Sequence, residues 1–276
     1  MQHKRFKFAF IGAGNIANAI INGFIDKAHV PAEDLYVYDI DKSKYNNYIM
    51  RGINCTDTMK EAVSSAEYVL FALKPAHIKS AVEQILAEVT DFDKKVYISV
   101  AAAVSTDYIC KSFNKEIAVI RTMPNTPLLV GEGAVAICKN DAVKPKDFEL
   151  ICRLFSSIST LSVMSEEFLN PIISVNGSSP AYVYLFYQAM LDGAIAQGID
   201  EEKAKPLILK SISGALKMLE TTGKTAKELI RDVSSPGGTT IAALDVFYKN
   251  GFEATVGDAM KACTDRADEM SKELPN

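Results

Sequence analysis

The stretch Phe6-Lys7-Phe8-Ala9-Phe10-Ile11-Gly12-Ala13-Gly14-Asn15-Ile16-Ala17 constrains the fold more than any other part of the chain. An alternating apolar run breaks on Gly-x-Gly-x-x-Ala and passes directly into a helical pattern, which is how a βαβ crossover begins. The first glycine makes the tight turn, the second lets a diphosphate approach the backbone, and the small third residue lets helix and strand pack closely. Ile11, Gly12, Ala13, Gly14, Asn15 and Ile16 are therefore candidate dinucleotide contacts. The competing reading is a glycine-rich structural turn.

The following segments keep the alternation going. Strands are predicted over 6–11, 35–39, 68–73, 96–100 and 117–121, with further strands at 134–138 and near 160–164. Helical patterns lie between them, at 16–28, 78–89 and 145–156. Alternating strands and helices predict an α/β fold, a doubly wound parallel sheet. Beyond residue 165 strand patterning stops. Helices are predicted at 180–197 (with Ser179 as N-cap and Pro180 at the first position), 201–219 and 226–233. A last one carries apolar residues from Phe252 to Met270 at helical spacing. The expected domains are 1–164, dinucleotide-binding, and 165–276, all-α, with apolar residues on more than one helix face, as burial between subunits requires.

Asp39 closes the second predicted strand, close to the interval of about 20 residues at which an acid meets the adenosine ribose. A carboxylate there accepts ribose hydroxyls and repels a 2′-phosphate, which favours NADH. Lys42, Ser43 and Lys44 follow closely and could hold a phosphate, so NADPH stays open. Leu73-Lys74-Pro75 and Val100-Ala101-Ala102-Ala103 end the next two strands. Strand C-termini in open α/β sheets face the ligand crevice, so Leu73, Lys74, Pro75, Ala101 and Ala102 are candidate cofactor contacts, with a solvated surface lysine as the alternative for Lys74. Met123-Pro124-Asn125-Thr126-Pro127 would wall the same crevice or serve as a structural turn only.

A second cradle lies late in the chain, at Ser234-Ser235-Pro236-Gly237-Gly238-Thr239-Thr240, before the helical run Ile241-Ala242-Ala243-Leu244. Backbone N–H groups of Gly238, Thr239 and Thr240 at a helix N-terminus, with the Ser235 hydroxyl, can hold a small carboxylate. Thr240 would then lie close to whatever bears that carboxylate. The alternative is a capped helix without a ligand.

Several classes are excluded. The chain has 276 residues, net charge −4 and no basic stripe, so no nucleic-acid partner is expected. No apolar run reaches the roughly 18 residues of a membrane span. The start, Met1-Gln2-His3-Lys4-Arg5, is basic, but the alternation after it reads as a strand rather than a signal-peptide core. Five scattered cysteines without Cys-x-x-Cys predict reduced thiols and a cytoplasmic protein, and three unclustered histidines argue against a catalytic metal.

The segment Val233-Ser234-Ser235-Pro236-Gly237-Gly238-Thr239-Thr240-Ile241-Ala242-Ala243-Leu244 resembles the signature of the pyrroline-5-carboxylate reductase family. Phe10-Ile11-Gly12-Ala13-Gly14-Asn15, Met123-Pro124-Asn125-Thr126-Pro127 and Gly177-Ser178-Ser179-Pro180-Ala181-Tyr182 resemble further segments of that family in the same order. The resemblance covers about residues 6–272. It implies a Rossmann domain followed by a helical dimerisation domain. It also implies hydride transfer from NADH or NADPH to the C=N carbon of 1-pyrroline-5-carboxylate, giving L-proline. Interlocked dimers, commonly assembled into decamers, with the active site between the cofactor domain of one subunit and helices of its partner, are implied as well. By the same resemblance Ser235, Gly238, Thr239 and Thr240 hold the substrate, Thr240 hydrogen-bonds the ring nitrogen, and Glu166 and Asp232 approach the substrate pocket. Two departures stand out: Asp39 replaces a small hydroxyl residue of some members, and Met59 an Asn near the cofactor.

Two rivals carry their own signatures. A 3-hydroxyacid dehydrogenase would need a lysine base shortly before an Asn on a late helix, but Lys210 is followed by Ser211, Ile212, Ser213 and Gly214. A non-catalytic NAD sensor predicts an eroded substrate loop, whereas this loop is intact. Reduction of a related imine of different ring size is left open by the loop.

Overall fold

Side chains alternate across a strand, so Phe8 and Phe10 must face one way and Ala9 and Ile11 the other. In the computed structural model, which describes residues 6–275, the four residues of β1 (Phe8–Ile11) are all buried, two in each of two separate cores. The basic start at residues 1–5 lies outside the described residues. The chain forms two compact units, one reaching to Ser178 and resuming at Lys261, the other Ser179–Met260.

In the first unit β1 is followed by α1 (Asn15–Asp26), β2 (Leu35–Tyr38), α2 (Tyr45–Met50), β3 (Asn54–Cys55), α3 (Met59–Ser64) and β4 (Tyr68–Phe71). Then come α4 (Ile78–Glu88), β5 (Val96–Ser99), α5 (Thr106–Ser112), β6 (Ala118–Met123), β7 (Gly133–Lys139), α6 (Pro145–Ile158) and β8 (Ser159–Val163). The strands form one sheet in the order β3-β2-β1-β4-β5-β6-β7-β8. One core packs Phe8, Phe10, Tyr68, Leu70 and Ile98 against Phe24 of α1 and Phe155 of α6. The opposite core packs Ile11, Phe71 and Tyr97 against α3, α4 and α5, with the Phe71 and Tyr97 rings stacked at 5.6 Å. Near-continuous apolar strands such as Tyr68–Phe71 suit a sheet covered on both faces.

The structure adds the short helices α2, α3 and α5 to the sequence reading and departs from it in the strands and at the start of α7. β6 and β7 pair antiparallel, while every other neighbouring pair is parallel. Their connection is a short 3-10 turn, Thr126–Val130, and a parallel return needs roughly a dozen residues or more, usually with a helix. β3 was not predicted, since two residues carry no alternation to read. Ser179 is not an N-cap: α7 (Ser179–Ala196) continues from a π-helical turn, Ile173–Gly177, in which the Ser178 N–H already donates to the Ile173 carbonyl at 2.8 Å.

The second unit is helical. After α7 come α8 (Glu201–Thr221), capped by the Asp200 side chain, and α9 (Ala226–Asp232), opened by a Thr225/Glu228 capping box. α10 (Thr239–Lys249) and α11 (Phe252–Lys272) follow. α7 is apolar along most of its length, yet Leu191 is its one buried residue; Tyr184 is 64% and Leu185 73% exposed. No helix among the described residues is long and apolar enough to cross a membrane.

Candidate functional site

The glycine-rich turn sits where the ends of three strands are fastened together. Gly12 N–H donates to the Tyr38 carbonyl at the end of β2 (2.7 Å), and Ala72 N–H, just past β4, donates to the Ile11 carbonyl (2.8 Å). Gly12 has φ +102°, and a Cβ on it would stand 2.4 Å from the Ala72 carbonyl oxygen, so only glycine fits. Gly14 is the opposite case. It is extended and exposed at the N-cap of α1, and no atom lies within 4 Å of where its Cβ would be. The first helical bond of α1 runs from Asn18 N–H to the Gly14 carbonyl, which leaves the N–H groups of Asn15, Ile16 and Ala17 without intrahelical acceptors. Open space over free N–H groups at the positive end of a helix fits a dinucleotide diphosphate.

Asp39 lies against this turn. Its Oδ2 accepts the Ala13 N–H at 2.7 Å and the Lys44 ammonium at 3.0 Å, and its Oδ1 accepts the Asp41 N–H at 2.8 Å. Burial alone would push the carboxyl up, but the hydrogen bonds from Ala13, Asp41 and Lys44, with the Lys44 charge, outweigh it and hold Asp39 below the usual carboxylate range. A depressed folded value means that Asp39 fastens the turn fully above the ordinary carboxylate pKa. The fastening is lost as pH falls through the lower, folded value.

The ends of β4 and β5 complete the rim. The Leu73 side chain approaches Gly12, Lys74 is exposed, and Pro75 opens a 3-10 turn. Ala101 is buried, with its N–H on Ser99 Oγ at 3.2 Å, and Ala102 is half-buried beside it. Ala103 is held in the left-handed region at φ 63°, rare for a residue with a Cβ, and its carbonyl accepts the Ser271 hydroxyl at 2.7 Å. Met59, on α3, is buried in the core beneath the sheet.

Two polar locks behind this rim escaped the sequence reading. Asn176, in the π-helical turn, donates to the carbonyls of Met123 (2.7 Å) and Ala134 (3.1 Å), while Asn125 donates to the Asn176 carbonyl and accepts the Ala134 N–H. Arg121, 5% exposed in an otherwise apolar strand, pairs with Glu166 and donates to Asn170 Oδ1 at 2.6 Å. A charged residue inside an apolar strand pattern was the available signal, since a buried guanidinium needs an acid.

The late glycine loop opens α10. Gly237 is left-handed (φ 69°), and the Gly238 N–H closes the turn onto the Ser235 carbonyl at 2.9 Å. That N–H is therefore not a donor to a ligand in this structure. Gly238 contributes by lacking a side chain, because a Cβ would meet Ser235 O at 2.9 Å and Oγ at 3.1 Å. The first helical bond runs from Ala242 N–H to the Gly238 carbonyl, leaving the N–H groups of Thr239, Thr240 and Ile241 free of intrahelical acceptors. No side chain caps the helix. Thr240 is half-buried and Ser235 exposed, and neither hydroxyl has a partner among the described residues. The arrangement can hold a carboxylate and present one hydroxyl beside it.

Glu166 and Asp232 are each engaged. Glu166 accepts the Thr106 N–H (2.7 Å) and hydroxyl (2.6 Å) at the start of α5, besides its pairing with Arg121. Asp232, at the end of α9, pairs with Lys224 at 2.7 Å on the surface of the second unit.

Comparison with known proteins gives the following similarities. Residues 166–270 match the family model of pyrroline-5-carboxylate reductase dimerisation, and residues 7–103 that of the coenzyme F420-dependent NADP oxidoreductases. The chain is 33% identical to the pyrroline-5-carboxylate reductase of Escherichia coli, over 96% of this chain and 98% of the relative. It is 36% identical to that of Haemophilus influenzae, over 98% of each. Among solved structures, Plasmodium falciparum pyrroline carboxylate reductase with NADP bound superposes with a TM-score of 0.88 at 26% identity, covering 97% of this chain and 99% of that one.

Proposed function

The chain belongs to the pyrroline-5-carboxylate reductase family, and from that premise we infer that it reduces the C=N bond of 1-pyrroline-5-carboxylate with NADH or NADPH, giving L-proline, the last step of proline synthesis. The observation that carries this reading is the start of α10. There the N–H groups of Thr239 and Thr240 and the Thr240 hydroxyl stand together, matched to a small ring with a carboxylate beside its nitrogen.

When bound, the reduced nicotinamide supplies the hydride. The protein's part is orientation, which by itself can remove much of the barrier. Ser235, Thr239 and Thr240 hold the carboxylate, with Gly238 keeping the turn closed. The Thr240 hydroxyl accepts a hydrogen bond from the protonated ring nitrogen. An iminium that arrives protonated becomes the secondary amine on gaining a hydride, so no side chain need donate a proton.

The cofactor contacts proposed are Ile11, Gly12, Ala13, Gly14, Asn15 and Ile16 at the cradle, Asp39 at its edge, and Leu73, Lys74, Pro75, Ala101 and Ala102 along the strand ends. Glu166 and Asp232 are proposed to approach the substrate. Glu166 does so while anchoring the start of α5, and Asp232 would exchange Lys224 for substrate or water. The functional division is 1–164 for the dinucleotide and 165–276 for dimerisation and substrate. Homodimerisation is supported by the uncovered apolar faces of α7, and assembly of the dimers into a decamer is proposed from the family resemblance alone. Five unpaired cysteines support a cytoplasmic location.

The test is steady-state oxidation of NADH and, separately, NADPH by the purified protein with 1-pyrroline-5-carboxylate, with chromatographic detection of proline. Proline formed in step with nucleotide oxidation is the expected result. Nucleotide binding without turnover would turn the reading toward another imine or a sensor.

A further inference from the structure

Just past β2 stand three groups able to hold a phosphate, Lys42, Ser43 and Lys44, and one able to hold a ribose hydroxyl, Asp39. The structure gives each of the three an internal partner. The Lys42 ammonium donates to the carbonyls of Thr56 (2.9 Å) and Asp57 (3.0 Å) and to the Asp57 carboxylate (3.2 Å). It also lies over the rings of Tyr38 and Tyr45, at 5.5 and 5.0 Å. Ser43 donates its hydroxyl (2.6 Å) and its N–H (3.1 Å) to Asp41 Oδ1. Lys44 is paired with Asp39. Within this edge three carboxylates, Asp39, Asp41 and Asp57, face two ammonium groups.

Asp39 itself is fixed. It is 8% exposed, its peptide N–H donates to Tyr45 Oη at 2.9 Å, and its carboxylate accepts from Ala13, Asp41 and Lys44. A carboxylate has about four lone-pair sites, so these three donors leave room for one more. A ribose hydroxyl supplies the donor that this remaining site can accept. A 2′-phosphate supplies none when ionised, and could recruit Lys44 only by stripping a buried carboxylate of its counter-charge beside a second anion.

We propose that Asp39, clamped to the cradle by Ala13 and Lys44, makes this chain select the dinucleotide with free adenosine-ribose hydroxyls, NADH, over its 2′-phosphorylated counterpart. The inference rests on the reading that the Gly12–Gly14 cradle binds a nicotinamide dinucleotide. Lys44 acts as the clamp on Asp39 and becomes a phosphate ligand only when Asp39 is removed.

Isothermal titration of the purified protein with NADH and with NADPH, without substrate, tests this through affinity alone. NADH is expected to bind about tenfold or more tightly than NADPH. Asp39→Ser frees Lys44 and should shift the affinity ratio toward NADPH by about a hundredfold, and Asp39→Ser combined with Lys44→Ala should lose most of that gain. If loss of the Ala13 contact keeps the serine variant from folding, Asp39→Asn retains an acceptor without the charge and should shift the ratio in the same direction. Equal affinities in the unaltered protein, or a ratio unmoved by the Asp39 substitution, would overturn the selectivity while leaving the cofactor reading intact. Failure to bind either nucleotide would overturn both.

Discussion

Replacing Thr240 by alanine is expected to lower kcat for pyrroline reduction on the order of a hundredfold, the scale of loss when the reacting carbon is no longer held in line with the hydride. The Kd for NADH should stay within about twofold, because the change lies outside the dinucleotide cradle. The fold has little reason to change: the hydroxyl has no partner among the described residues, alanine is a better helix former than threonine, and the backbone N–H at the start of α10 remains. Thr240→Ser keeps the hydroxyl and should retain most of the activity. Stopped-flow and steady-state kinetics on the two variants separate the roles. Parallel loss in both would mean that the methyl group, not the hydroxyl, carries the effect, and loss of NADH binding with kcat would remove Thr240 from the substrate loop.

The second large effect is a contrast between two glycines two residues apart. Gly12→Ala puts a Cβ at φ +102°, 2.4 Å from the Ala72 carbonyl oxygen, in backbone held by the Ala72 N–H on Ile11 and the Gly12 N–H on Tyr38. Strain and clash together should cost about 3 kcal/mol or more, lower the thermal midpoint by several degrees, and abolish nucleotide binding. Gly14→Val adds more bulk, yet into open space and onto an extended backbone that valine adopts readily. Its thermal midpoint should match that of the unaltered protein while nucleotide affinity falls about a hundredfold, since the side chain stands where the diphosphate must approach. A Gly14→Val protein that bound NADH normally would show that the open space over α1 is not the diphosphate site.

What the sequence made legible was local. The turn at Gly12–Ala17 and the strand ends at Asp39, Leu73 and Ala101 could be read because each needs only its neighbours in the chain. The antiparallel β6/β7 pair was legible in principle from the shortness of its connection. Ser179 misled because Ser-Pro reads as an N-cap and first helical residue, and the π-helical turn that joins α7 to what precedes it leaves no such local mark. The unread parts depend on distant partners. Arg121 meets Glu166 and Asn170, and Asn176 reaches Met123 and Ala134, across more than forty residues in every case. The targets of Lys42 and Lys44 decide whether they are phosphate ligands, and only the folded chain reveals that Thr56, Asp57 and Asp39 hold them.

The same dependence explains the second unit. A helix as apolar as α7 with one buried residue has no internal explanation, and the sequence pattern of several apolar faces already pointed to a covering surface from another subunit.

Hydride passing to the imine carbon of 1-pyrroline-5-carboxylate leaves its mark on the product. The most direct measurement is mass spectrometry of the proline formed from unlabelled substrate and nicotinamide dinucleotide deuterated at C4 on the transferred face. Proline carrying one deuterium at its δ-carbon is the predicted result. Oxidation of the labelled nucleotide with no deuterium at that carbon for either C4 epimer, or with no proline formed, would contradict the account.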